Sequence, residues 1–145
     1  MQQQVFGGEQ QSSSRATRPL WPAMKRGFLC RCPNCGEGKL FRAFTKTFDH
    51  CEACGEEFHH HRADDLPAYL VIVIVGHVIL GGFMGVEATS TLSMWQHLAI
   101  WAPLTIIMSL ALLQPIKGAV IGLQWAYYMH GFGGEVDHIE GHPEI

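Results

Sequence analysis

Four cysteines, Cys32, Cys35, Cys51 and Cys54, form two Cys-x2-Cys pairs separated by fifteen residues. Each pair turns back tightly enough to put two soft thiolates on one ion, and two such loops complete a tetrahedron. Gly36 and Gly55 follow the pairs, at positions where this turn calls for a positive φ. The expected cofactor is one structural Zn2+ in a zinc ribbon, with iron or an iron–sulfur species as the alternative. Four protein ligands leave no open position for water or substrate, so Lewis-acid catalysis is not expected and no catalytic residue is assigned. Thiol exchange is the other chemistry of Cys-x2-Cys, but no βαβ pattern surrounds these pairs. A fifth cysteine, Cys30, either shields the cluster or is an ordinary half-buried thiol.

The histidines raise a second question. His59, His60 and His61, followed by Arg62, Asp64 and Asp65, make the densest polar cluster in the chain. They could form a second polar or metal site, although adjacent residues cannot all aim at one ion; the other reading is a joint fixed by hydrogen bonds and ion pairs. His77 lies in the middle of an uncharged run, Leu66 to Val86, where an ionisable side chain is costly and faces protein or water. It either hydrogen-bonds a neighbouring helix at Thr105 or Ser109 or serves as a haem ligand.

These groups must be positioned by a chain whose apolar residues are concentrated in its second half, too many for the core of a soluble fold of 145 residues. The run from Leu66 to Val86 is long enough to cross a hydrocarbon layer of about 30 Å at about 1.5 Å per residue. Asp64 and Asp65 are expected to cap this helix, with Pro67 in its first turn. Gly81 and Gly85 make a small-xxx-small pair for helix packing. A second span is expected from Trp95 to Pro115, ended or bent at Pro115, and Ile116 to Phe132 then reads as a helix lying in the interface, anchored by Trp125 and the tyrosines. Two short strands are expected in Lys39 to Phe48.

The fold class is thus a membrane α-helical hairpin, two transmembrane helices plus a C-terminal interfacial helix, carrying an N-terminal cytoplasmic four-cysteine zinc ribbon. Residues 1–23 read as a disordered leader and linker, 24–65 as the ribbon head, 66–132 as the membrane part and 133–145 as a disordered acidic tail. A head this small needs the stability a metal supplies. Nine of the ten Lys and Arg precede the first span and Lys117 follows the second, which puts both termini in the cytoplasm. Reduced cysteines agree with that compartment. The head is an electrostatic dipole: eight basic residues against Glu37 in 15–48, then six acids against Arg62 in 49–65. Lys39, Arg42 and Lys46 alternate with Phe41 and Phe44 as nucleic-acid surfaces do, but the membrane tether and the acidic segment weigh against that partner.

The motifs Cys32-Pro33-Asn34-Cys35-Gly36-Glu37-Gly38-Lys39-Leu40-Phe41, Cys51-Glu52-Ala53-Cys54-Gly55, His60-His61-Arg62-Ala63-Asp64-Asp65, Pro115-Ile116-Lys117-Gly118 and Gly122-Leu123-Gln124-Trp125 occur in this order. Together they resemble domain of unknown function family 983, small bacterial membrane proteins. The resemblance implies a two-span protein of the inner membrane with a cytoplasmic ribbon, and brings no catalytic residues. Genes of such proteins often neighbour those of cytochrome c oxidase subunits and assembly factors, which implies a role with a respiratory complex. The expected function is a non-enzymatic accessory or assembly factor that docks a membrane complex. Its partners would be the lipid bilayer and a membrane protein, or a second copy through the transmembrane helices. The alternative is a membrane redox or haem- and metal-handling protein using His77 or His59 to His61.

Overall fold

The computed structural model describes residues 16–58, 65–129 and 132. Three helices make up its regular structure: α1 (Leu20–Phe28), α2 (Leu66–Thr89) and α3 (Met94–Ala126). α2 and α3 form an antiparallel hairpin, and α1 lies against the far end of α3.

α2 is apolar on every side, with a mean hydropathy of 2.3 over its central window and only 11% of that window buried. A helix of this kind has no solvent face to offer water. α3 carries a mean hydropathy of 1.8 over its most apolar window. Both helices are long and apolar enough to cross a membrane. They meet through Val71, Val75 and Ile116, with Ile79, Met108, Leu112 and Leu113 around them.

The start of α2 differs from the sequence expectation. Pro67 does sit in the first turn, but Asp65 holds the N-cap position without a side-chain bond to the helix amides, and Asp64 lies outside the described residues. α3 has the stronger start: Ser93 Oγ accepts from the Gln96 amide at 3.4 Å while Gln96 Oε1 accepts from the Ser93 amide at 2.8 Å, a reciprocal capping box.

The larger correction concerns the end of α3. The expected break at Pro115 is absent; the helix continues for 33 residues with Pro103 and Pro115 inside it. Residues 116–126 are therefore not a separate interfacial helix but the last three turns of α3. Ile116, Gly118, Val120, Ile121, Gly122, Gln124, Trp125 and Ala126 are buried. Ile116 packs on α2 and the residues beyond it on α1 and the ribbon, and that packing outweighs the roughly 3 kcal/mol an interior proline costs. Trp125 is likewise a core residue rather than an interfacial anchor.

α1 begins at Leu20, within the stretch expected to be a linker. It crosses α3 where Ala23 and Gly27 face Gly122 and Gly118, so closely that a Cβ on Gly27 or Gly118 would meet the other's carbonyl. In the ribbon the expected strands are reduced to isolated antiparallel bridges, Arg31 with Lys39, Phe41 with Thr47, and His50 with Glu57. One core joins Leu40, Phe41, Cys32, Cys51 and Phe58 of the ribbon to Ala23 of α1 and to Val120, Ile121, Trp125 and Ala126 of α3.

Candidate metal centre

The first bridge closes the first knuckle: Cys32 N–H donates to Gly38 O at 2.8 Å and Leu40 N–H to Cys30 O at 3.1 Å. The third closes the second, with Cys51 N–H donating to Glu56 O at 2.7 Å and Phe58 N–H to Asp49 O at 2.8 Å. Gly36 (φ 74°) and Gly55 (φ 78°) both take the left-handed turn their positions required. The result brings the four Sγ atoms of Cys32, Cys35, Cys51 and Cys54 within 4.8 Å of one another.

Cross-knuckle contacts are 3.7 Å from Cys32 to Cys54 and 3.7 Å from Cys35 to Cys51. Sulfurs about 2.3 Å from a central ion define a tetrahedron with edges of about 3.8 Å. The thiols are thus spaced for one metal ion. An iron–sulfur cluster, which interposes its own irons and sulfides, needs its cysteine sulfurs farther apart. The four positions can be filled by thiolates alone, a donor set that suits zinc.

Polar neighbours tune the sulfurs. The backbone amides of Gly38 and Glu37 point at Cys35 and hold its thiol down to about 6; the Glu37 amide lies 3.5 Å from Sγ. Cys32 and Cys54 are pushed the other way, chiefly because burial removes water from their thiolates. Cys35 is therefore the thiolate ready at neutral pH, and an incoming cation supplies the charge the others need. Asn34 Nδ2 bridges the knuckles, donating to Cys54 Sγ at 3.6 Å and to Glu56 Oε2 at 3.3 Å. Gly38 passes so close to Cys51 Sγ that a side chain there would collide with it.

Clamps fix this centre to the helices. Arg26 of α1 donates to Asn34 O at 2.8 Å and Pro33 O at 3.3 Å in the first knuckle. Lys117 of α3 donates to Thr45 O at 2.7 Å. Arg18 donates to Trp125 O at 2.8 Å and stacks on the rings of Trp125 and Tyr128. None of these roles was assigned from the sequence, although Ala23/Gly27 and Gly118/Gly122 carry a readable signal: each is a small pair four residues apart.

Cys30 is half-buried in the left-handed region (φ 60°), packs against the core, and burial pushes its thiol up. His59, His60, His61 and Asp64 lie outside the described residues, and Asp65 is exposed. His77 is exposed, and its Nδ1 is 2.7 Å from Val73 O of its own helix. That bond replaces the expected one to Thr105, whose hydroxyl donates instead to Trp101 O at 2.7 Å, or to Ser109. A Cβ on Gly81 or Gly85 would meet nothing within 4 Å, so neither packs against another of the described residues.

At the opposite end of the hairpin the structure assembles a group the sequence did not suggest. His97 is buried; its Nδ1 accepts from Trp101 Nε1–H at 3.2 Å, and Phe83 packs on its ring. With Nδ1 accepting, the ring proton belongs on Nε2. Nε2 stands 2.8 Å from Glu87 Oε2, though out of line for a hydrogen bond.

The family model described as Protein of unknown function (DUF983) matches residues 41–125, more than half of the chain, and the chain belongs to that family. The matched stretch holds Cys51, Cys54, both long apolar helices and the Gly118/Gly122 dock of α1. No curated protein and no solved structure matches the chain.

Proposed function

We propose that this member of the family is a zinc-stabilised docking platform of the bacterial inner membrane, with α2 and the first two-thirds of α3 crossing the bilayer and both termini in the cytoplasm. Cys32, Cys35, Cys51 and Cys54 hold one Zn2+, which links two knuckles that share little other structure and has no ligand position to spare for substrate. The observation that carries this reading is the common core of ribbon and α3: Leu40, Phe41 and Phe58 pack with Val120, Ile121 and Trp125. A head built into the end of a span, instead of hanging from it, presents a fixed surface beside the bilayer. A membrane protein, or a second copy of this chain, would pack along the open Gly81/Gly85 face.

The test is elemental analysis of purified protein combined with photocrosslinking in native membranes from a probe at exposed Glu52. One zinc per chain and a discrete protein adduct that disappears in Cys35→Ser are expected. Metal-free protein, or an adduct indifferent to Cys35→Ser, would overturn the proposal. Cytochrome c oxidase during its biogenesis is the partner we propose first, on the family resemblance alone. Oxidase activity that is unchanged in a deletion strain would remove that partner and leave the platform standing.

A further inference from the structure

The membrane-facing side of the head follows from α3. From Met94 to Leu113 the helix carries no charged side chain, about 30 Å of rise; Gln114 and then Lys117 end that stretch. Beside Gln114 lies an open-sided hollow of about 380 Å3, lined by Leu29, Cys30, Arg31, Glu37, Lys39, Phe41 and Gln114. α1 runs toward this level as it passes from Ala23, beside Gly122, to Gly27, beside Gly118. Its end leaves Phe28 and Leu29 exposed, 46% and 58%. Lys117 holds the turn at Thr45, next to exposed Phe44.

Arg31 and Lys39 face each other across an antiparallel bridge. The flanking bonds, Cys32 N–H to Gly38 O and Leu40 N–H to Cys30 O, make this the narrow, non-hydrogen-bonded kind of pair, in which side chains are closest. Like charges so placed repel, and a pair that persists there is suited to share an anion. Neither cation has an ion-pair partner among the described residues. Glu37 is the one acid in the lining, which leaves a positive excess, and Gln114 adds amide donors.

We propose that this hollow binds the phosphate of an anionic phospholipid, with Phe28, Leu29 and Phe44 dipping toward the acyl region, so that the head rests on the inner leaflet. Depth, charge and apolar rim coincide at one level of α3, which favours a lipid over a soluble anion. The inference rests on the membrane reading above.

The full chain in nanodiscs of phosphatidylcholine, with or without phosphatidylglycerol, tests it by native mass spectrometry of retained lipid. Phosphatidylglycerol should be retained about thirty-fold over phosphatidylcholine, about five-fold per cation. The double variant Arg31→Gln/Lys39→Gln should lose that preference while Lys25→Glu, an equal change of two charges on α1, keeps it, and zinc content should be the same in all. A preference that survives the double variant, or is abolished by soluble glycerol phosphate, would overturn the proposal. A chain that inserts without lipid preference overturns this inference alone; one that does not insert overturns the membrane reading with it.

Discussion

At the scale of single residues, two glycines of the ribbon separate conformational from steric demand. Gly55 needs its positive φ but would meet nothing within 4 Å if given a Cβ. Gly55→Ala should therefore cost about 1–2 kcal/mol of stability, the ordinary cost of a left-handed residue, and leave metal stoichiometry intact. Gly38 faces Cys51 Sγ, so Gly38→Ala must push a ligand out of the tetrahedron. Zinc release to a chelator, followed at one temperature, should be little changed in Gly55→Ala and faster by at least ten-fold in Gly38→Ala; equal rates would show that Cys51 does not hold the ion. The cysteine spacing announced Gly36 and Gly55, because the turn is local. Gly38 was silent, because its constraint comes from a sulfur thirteen positions away, as the sequence numbering of Gly38 and Cys51 shows. At the other end of the hairpin, His97→Ala removes the acceptor for Trp101 Nε1–H and the ring that Phe83 packs on. A loss of about 2–4 kcal/mol is expected in detergent unfolding, with zinc content unaffected.

At the scale of elements, two small-residue pairs have opposite fates. Among the described residues nothing lies against Gly81/Gly85, whereas Gly118/Gly122 receives the backbone of α1 at Gly27 and Ala23. Gly118→Val should expel α1, because backbone on both sides leaves no flexible side chain to yield; overpacking of even ordinary cores costs about 1–3 kcal/mol. Limited proteolysis should then cut near Leu20 to Phe28 while α2 and α3 stay protected, and Gly81→Val should show no such cleavage. Identical digestion of the two variants would refute the assigned crossing. Both apolar helices were legible, since hydropathy depends on composition alone. What sequence could not supply was the partner of a face: Ile116, Val120 and Leu123 recur at helical spacing whether they meet lipid or protein, and Pro115 reads as a stop until packing beyond it is known. The same limit hid α1, a nine-residue helix with Pro22 in its first turns, too short to persist without α3.

At the scale of the whole molecule, head and hairpin are not separable units. A ribbon of about forty residues lacks the buried surface to fold alone; the last three turns of α3 supply part of the deficit, and the four clustered cysteines are placed to supply the rest by holding an ion. Val120, Ile121, Trp125 and Ala126 reach the ribbon core from the far end of the chain, and Arg18, Arg26 and Lys117 tie the pieces with bonds of 2.7–2.8 Å. Removing residues 116–145 therefore takes away one wall of the head while leaving every cysteine and both apolar stretches in place. That truncation should still insert and still take up one zinc, because the ligands and their knuckle turns are local. Its ribbon should nonetheless be cleaved by protease at least ten-fold faster than in the full chain, since the exposed Leu40, Phe41 and Phe58 would have no partner on α3. Adding back Lys117 and its neighbours through residue 129 should restore protection, and the substitution Ile121→Asp within that restored segment should abolish it, because it buries an unpaired carboxylate in the shared core. Equal protease resistance with and without residues 116–129 would mean that zinc alone folds the ribbon, and the rigid coupling of the cysteine cluster to α3 would have to be given up.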